Sequence, residues 1–535
     1  MINSVKSPCD DGVLHSRPDT IQCKPHVEAW VLVATILGSS MAFIDSSAVN
    51  VALPVMQREL SATAADMQWV IEAYALFLSA LILVGGSLGD HFGRRRIFAL
   101  GISIFILASI WCGFSPTILQ LIVARALQGV GGALLVPGSL AIISASFSTA
   151  NRGRAIGTWS GFTSVTSVIG PVLGGWLVQF ASWRWVFFLN VPLAAVVLAV
   201  LFWRVPESRD EHLRGGLDWW GTALVTLGLG GVVFGLIEAG SLGPGHPLAL
   251  LPLLGGLIAL GAFIFVEAHS SAPMVPLVLF RSADFSGTNL LTLLLYAALG
   301  AATYFLPFDL IQVRGYSAAA AGAALTPFAI TMFLLSRWTG GLVRRFGAKL
   351  PLVVGPSITA AGFVLFALVG SGSYWLTIFP AVLVMSLGMT ITVAPLTTTV
   401  MGSVSQDNVG TASGINNAVA RTASLLAIAG LGIVIAAVFG ASLHSNLSRL
   451  DVPAAARQQI LSQQGKLAGI DLSAIGSQQL QAALRDAINA AFVSGFRTIM
   501  LICAALALVS AAIALFMIGN TRKQAPQEAE RTAVR

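Results

Sequence analysis

The chain has 535 residues, of which 56% are hydrophobic and only 10% charged, and its mean hydropathy is +0.82. Soluble domains carry roughly 25% charged residues, so a water-soluble enzyme or binding module is excluded in favour of a chain that lies mostly within a bilayer. The formal charge of +7 is then a topological signal before it is an affinity for nucleic acid.

A bilayer core about 30 Å thick needs roughly 20 apolar residues per helix. In chain order the predicted spans are 28–54, 65–89, 97–115, 117–144, 153–179, 183–203, 218–239, 247–267, 285–313, 320–342, 349–370, 374–398, 409–440 and 492–519. They predict an all-α integral membrane fold with 14 transmembrane helices. Residues 1–27 form a polar tail without the apolar core of a cleaved leader. Residues 204–217 are a linker, 441–491 an outer loop rich in Gln and Ala with Asp451 and Ser477 as capping candidates, and 520–535 a second tail. Arg94, Arg95, Arg96, Arg152, Arg154, Arg204, Arg209, Arg214, Arg281, Arg344, Arg345 and Lys349 share one side of this layout with both termini. The excess places both ends in the cytoplasm. Cys9, Cys23, Cys112 and Cys503 show no CxxC spacing, so neither a disulfide framework nor a metal site is expected.

The turn after the second span reads "GGSLGDHFGRRR", Gly85–Arg96. Glycine lets a tight turn bend, and arginines at a membrane face hold it inside. The pattern returns in "GGLVRRFGAK", Gly340–Lys349: Gly86, Leu88, Phe92, Gly93 and Arg95 align with Gly340, Leu342, Phe346, Gly347 and Lys349, while Asp90 becomes Arg344. A repeat at half-chain spacing is the mark of a carrier built from two related bundles with its site between them near mid-membrane. The repeat predicts bundles at 28–203 and 285–519, with two extra central helices at 218–267.

The fifth span carries Gly157, Gly170, Pro171, Gly174 and Gly175. Gly170 and Gly174 share one helix face, where a neighbouring backbone can approach closely, and Pro171 adds a bend. An ionisable group within a span signals a function and a partner; the clearest are Asp45, Glu72, Arg125, Asp309, Arg337 and Arg421. At about 1.5 Å per residue, Asp45, Glu72 and Arg125 fall at one depth of the first bundle. Burial favours a neutral carboxyl and a nearby guanidinium favours its anion. Motion that changes the Asp45–Arg125 or Glu72–Arg125 distance would load and release a proton, and a cationic substrate would compete for the same carboxylates. The competing interpretation is a static pair that holds helices together. Asp309 selects cations or reaches the outer interface, Arg337 snorkels, and Arg421 requires a partner the sequence does not name. Trp69, Tyr74, Trp159, Tyr296, Tyr304 and Phe308 are candidate cavity aromatics.

Several stretches carry a resemblance: "IDSSAVNVALP", "QWVIEAYAL", the turn Gly86, Asp90, Gly93, Arg94 and Arg95, "RALQGVGGALLVPGS", the glycine row ending in Gly174 and Gly175, "WRWVFFLNVP", "VPESRD", "LDWWG", "GYSAAAAGAALTPFA" and "GTASGINNAVAR". Together they resemble the fourteen-helix drug:proton antiporter branch of the major facilitator superfamily over nearly the whole chain. Thr166 departs from that pattern where the family usually has Gly, and Asp309 stands where it more often has an aromatic residue. The resemblance implies two rocking six-helix bundles, coupling through Asp45 and Arg125, gating by Asp90 and an antiporter motif on the fifth helix. It implies export of amphipathic, cationic drugs or toxic metabolites across a bacterial-type inner membrane. The driving force is the proton gradient, with no cofactor or metal. Substrate, protons and lipid are the expected partners, nucleic acid is not, and a periplasmic adaptor is undetermined. The alternatives are an exporter or importer of one metabolite, or a non-transporting receptor on the same scaffold. No GxxxxGK[ST], GxSxG or HExxH stretch occurs, which argues against an enzyme or an ATP-driven pump.

Overall fold

Within lipid every backbone N–H and C=O must find a partner inside its own segment, so long apolar runs become helices. The structure, a computed structural model, describes residues 25–209, 218–270, 273–339, 341–370, 372–405, 408–475 and 477–519; inside these, the side chains of 25, 26, 149, 150, 153, 160, 161, 164, 165, 167, 168, 336, 337 and 344 are not described. Both predicted tails apart from 25–27, most of the 204–217 linker, Cys9, Cys23, Gly340 and the side chains of Arg337 and Arg344 lie outside the described residues. The helices are α1 (Pro25–Glu59), α2 (Ala64–Phe92), α3 (Arg94–Phe114), α4 (Ile118–Ser146), α5 (Thr149–Phe180), α6 (Trp185–Arg204) and α7 (Trp219–Leu242). They continue as α8 (Pro247–His269), α9 (Ala283–Val313), α10 (Ala318–Ala324 and Thr326–Thr339), α11 (Lys349–Leu368), α12 (Tyr374–Gly402), α13 (Val409–Ser448) and α14 (Gln478–Met517). Thirteen are long and apolar enough to cross a membrane, and α5 adds a 32-residue helix whose described apolar end is Ile169–Phe180.

Three departures from the predicted spans have local causes. Helices α13 and α14 each run 40 residues, so the expected loop 441–491 contracts to 449–477. Their turns next to the loop are amphipathic, and a hydropathy window stops where the apolar run stops. Inside that loop lie a short helix, Ala454–Ser462, and a 3-10 turn, Gln464–Gly469. Ser477 does cap α14, accepting from Leu480 N at 3.4 Å, whereas Asp451 caps nothing because Pro453 starts the short helix. The exposed Asp471 carboxylate accepts the Ser473 N–H (2.9 Å) and hydroxyl (3.0 Å), which hold it below the usual carboxylate range. Helix α9 ends in a π-helical turn, Asp309–Val313, and α10 breaks at Leu325.

Helices α1–α6 form one bundle and α9–α14 the other, and the packing repeats between them. The pairs α2–α4, α3–α4, α1–α5 and α1–α6 recur as α10–α12, α11–α12, α9–α13 and α9–α14. The turn glycines that aligned in sequence, Gly93 and Gly347, both have positive φ (106° and 78°), a backbone that L side chains rarely adopt. The seams between the bundles, α5 on α10 and α2 on α13, are also related by the repeat. Helix α7 lies against both α2 and α13, and α8 packs on α7 with only 11% of its apolar window buried.

The two ends of the molecule differ. At the face carrying Asp90–Arg96, here the turn face, Glu207 folds back on the start of α3. Its carboxylate accepts Arg95 N at 2.9 Å, and Arg94 N donates to Ser208 O at 2.8 Å. At the opposite, loop face the bundles are joined directly. Gln312 Nε2 donates to Gln57 Oε1 (2.8 Å), Gln57 Nε2 to Lys466 O (3.2 Å), and Ala319 N to Gln179 Oε1 (3.2 Å).

Candidate functional site

Asp45 on α1 and Arg125 on α4 meet in the centre of the first bundle, both 0% exposed, with Arg125 Nη1 donating to Asp45 Oδ2 at 2.5 Å. A buried pair persists only when its remaining lone pairs and protons are satisfied, and neutral polar side chains do that here. Gln128 Nε2 (2.8 Å) and Asn190 Nδ2 (3.1 Å) donate to Asp45 Oδ1. Arg125 also donates to Gln128 Oε1 (2.8 Å) and, through Nε, to Val70 O (3.0 Å). Ser109 accepts from Asn190 at 2.9 Å and donates to Phe187 O at 2.9 Å, tying α3 and α6 into the network. Tyr74 lies with its ring centroid 4.4 Å from the guanidinium carbon, a cation–π contact that covers the charge. Arg125 Nη2, Asn190 Oδ1 and the Tyr74 hydroxyl remain without a partner.

Glu72, expected at the same depth, does not join this network. It is 0% exposed and neither carboxylate oxygen has a hydrogen-bond partner. Equal depth says nothing about azimuth. Glu72 sits one helical turn below Gln68, whose Nε2 crosses to Ile428 O of α13 (3.1 Å), so it faces the second bundle. It lies within electrostatic reach of Tyr304 on α9. Above it a cavity of about 550 Å³ opens under the 449–477 loop, lined by Gln57, Gln68, Tyr304, Phe305, Phe308 and Gln464 among others. Of the candidate aromatics, Tyr304 and Phe308 line that cavity, Trp69 packs tilted against Phe234 of α7 at 5.7 Å, and Trp159 donates to Ser39.

Asp309 is likewise 0% exposed but engaged locally. Arg314 Nε donates to its Oδ2 at 2.5 Å across the π turn, and Arg314 Nη1 reaches Gly370 O at 2.9 Å. The pair fastens the end of α9 to the connection after α11 and is separate from Asp45. Arg421 has no hydrogen bond or ion pair among the described residues, and its Nε is buried without a partner; the nearest titratable group in reach is Tyr74.

The glycine row on α5 has two faces. A Cβ on Gly174 would meet Ala48 Cα at 2.8 Å, and one on Gly170 would meet Ile44 O at 3.1 Å, so this edge clasps α1 on either side of Asp45's turn. A Cβ on Gly175 would meet Ala319 Cα at 3.0 Å, and Gly322 of α10 abuts the Pro171 carbonyl. The same row therefore presses α5 against the other bundle. Gly157, nearer the turn face, has nothing within 4 Å. Thr166 turns its hydroxyl onto its own helix, donating to Thr163 O at 2.8 Å. In the turn motif Asp90 pairs with Arg94 at 2.7 Å, Gly86 faces Pro137 of α4, and Gly93 lies against the Glu207 carboxylate.

Gln128, Asn190 and Ser109 were not singled out from sequence. Gln128 carried a signal, three residues after Arg125 and on its helix face; Asn190 carried a weaker one as the polar residue amid "WVFFLNVP".

Two repeated bundles of membrane-length helices, one of them holding a fully buried ion pair, have the build of a multi-pass membrane carrier. Residues 35–429 match the Major Facilitator Superfamily, and the chain belongs to that family. It is 34% identical over 434 residues to the multidrug resistance protein Stp of Mycobacterium tuberculosis (strain CDC 1551 / Oshkosh), covering 81% of this chain and 80% of that one. It is 30% identical over 527 residues to the tetracenomycin C resistance and export protein of Streptomyces glaucescens, covering 97% and 95%. In fold it is similar to a bacterial homolog of the human lysosomal transporter Spinster, solved in an inward-facing and occupied conformation. That likeness has a TM-score of 0.61 at 18% identity and covers 94% of this chain and 100% of that one.

Proposed function

We propose that this protein exports amphipathic small molecules, drugs or toxic metabolites with a cationic group among them, across the cell inner membrane in exchange for protons moving inward. Both termini and the turn face are cytoplasmic in this reading, in keeping with the arginines of Arg94–Arg96. The observation that carries it is the Asp45–Arg125 pair, sealed from solvent and held by helices of one bundle beside the helix that clasps the other. The names of the relatives, a multidrug resistance protein and an antibiotic resistance and export protein, support the direction of transport.

When the site is open outward, a proton arriving on Asp45 removes the charge that holds Arg125 and loosens the α1–α4 contact; when the site is open to the turn face the proton leaves and the pair re-forms as it stands here. Because Gly170 and Gly174 seat α5 on α1 while Gly175 seats it on α10, a shift of α1 is carried to the seam that closes the loop face. The protonated carrier thus returns to the state closed at the loop face; substrate loading from the turn face drives the opposite rocking, in which Asp90 is released from Arg94 to take a helix N-terminus or an arginine as the turn face closes. Glu72, unpaired between the bundles, is the carboxylate a cationic substrate meets, and Asp309 holds the end of α9 against which that site is built.

The test is purified protein in proteoliposomes with an imposed pH gradient and a lumenal pH dye, challenged with a panel of cationic amphipaths. Substrate-dependent proton movement in wild type that vanishes in Asp45→Asn is the expected result. Uptake of compounds with no accompanying proton movement would remove antiport from the reading.

A further inference from the structure

The interior does not pair all of its charges. Asp45 is taken by Arg125 and Asp309 by Arg314, while Glu72 and Arg421 have no ion-pair partner among the described residues. A guanidinium in the middle of a spanning helix is costly and by default marks a ligand pathway.

The packing of α13 fixes where Arg421 points. Gly414 leans on Leu83 of α2, and Ala418 joins the α2 side of the first bundle's core. On the other flank Asn416 Nδ2 donates to Asn289 Oδ1 and Thr292 Oγ1 of α9 (3.1 and 2.8 Å), and Ser424 donates to Tyr296 O (3.1 Å). Arg421 and Asn417, one helical turn apart, occupy the strip between these flanks. Asn417 is exposed and Arg421 partly so. Arg421 lies within electrostatic reach of Tyr74, whose ring covers Arg125 from the other bundle. The strip therefore faces the space between the bundles and not the lipid.

We propose that Arg421 and Asn417 form an anion subsite in that space, which takes the carboxylate or phenolate of an amphipathic substrate. The guanidinium gives two parallel donors for a planar oxyanion, and the Asn417 amide adds a third. The inference rests on the export reading above and widens it: the carrier accepts acidic and amphoteric amphipaths as well as cations, with Glu72 the group for the cationic pole and Arg421 the group for the anionic one.

The experiment uses the full chain in lipid nanodiscs and three probes of one shape: 2-naphthoate, 2-naphthamide and 2-naphthylmethylammonium. Binding is read by equilibrium dialysis against empty nanodiscs. Wild type should hold naphthoate about tenfold tighter than the amide, the size of a charge-assisted hydrogen bond. Arg421→Gln should abolish that preference while leaving the amide and the cation unchanged, and Arg421→Lys should keep most of it. Removing an unpaired charge should leave the thermal unfolding midpoint level or higher. If Arg421→Gln does not fold, wild type and Arg421→Lys still decide, since a charged subsite requires the preference in both. Equal binding of naphthoate and amide in wild type overturns the proposal, and so does an Arg421→Gln effect equal on all three probes, which would make Arg421 a structural group. The cation probe tests the export reading separately: its failure with the naphthoate preference intact removes the Glu72 pole alone.

Discussion

The centres of the two bundles are built on one plan and filled differently. In the first, a carboxylate and a guanidinium are knitted by Gln128, Asn190 and Ser109 into a network with almost every polar atom satisfied. In the second, the polar contacts between α9 and α13 are neutral, Asn416 with Asn289 and Thr292, and Arg421 has no ion-pair partner among the described residues. The contrast separates two tasks. A buried pair whose carboxylate is fully bonded changes state by gaining a proton or losing a partner, which suits coupling. A bundle with neutral links and an unsatisfied charge suits a wall that receives a ligand.

The largest effect expected is from Asp45→Asn. It leaves Arg125 buried without its counter-charge, a loss of roughly 3–5 kcal/mol for a broken buried pair, and it stops substrate-driven proton movement. The double variant Asp45→Leu/Arg125→Met should recover most of the lost thermal stability and none of the transport. Transport by that double variant would erase the distinction between the bundles. Next, Gly175→Val should abolish transport by prising α5 from α10, whereas Gly157→Ala, with open space around it, should lower the rate little. Equal losses would mean that the glycine row does not act through the seam. Gln128→Leu removes donors to a charged acceptor and should cost about 1.5–3 kcal/mol in unfolding free energy. Asn416→Ala, which cuts neutral bonds, should cost only about 1 kcal/mol. A reversal of these last two would show that the second centre carries more of the fold than its chemistry suggests.

The spans were legible because twenty apolar residues leave the backbone no alternative to a helix. The two-bundle plan was legible because Gly93 and Gly347 occupy the same constrained backbone position. Depth was legible too, which brought Asp45 and Arg125 together. What depth cannot supply is rotation about the helix axis, so Glu72 was grouped with Arg125 although it faces the other bundle. Polar but uncharged partners such as Asn190 are lost among the hydroxyls and amides that decorate any spanning helix. The ends of α13 and α14 were missed because amphipathic turns outside the membrane carry little hydropathy.

Those two ends have a consequence beyond the site. At 40 residues, each helix is about 60 Å long, roughly twice the hydrocarbon core, and their projecting ends are strapped by Asn446 to Ala487 O and by Arg457 to Leu447 O. Rooted in one bundle, they behave as a pointer: a few degrees of tilt deep in the membrane become several ångströms at the tip. An antibody fragment raised against the 449–477 cap would sort molecules by the posture of their interior, and one that gripped the cap together with the end of α1 would arrest the carrier from its loop face without touching its binding space.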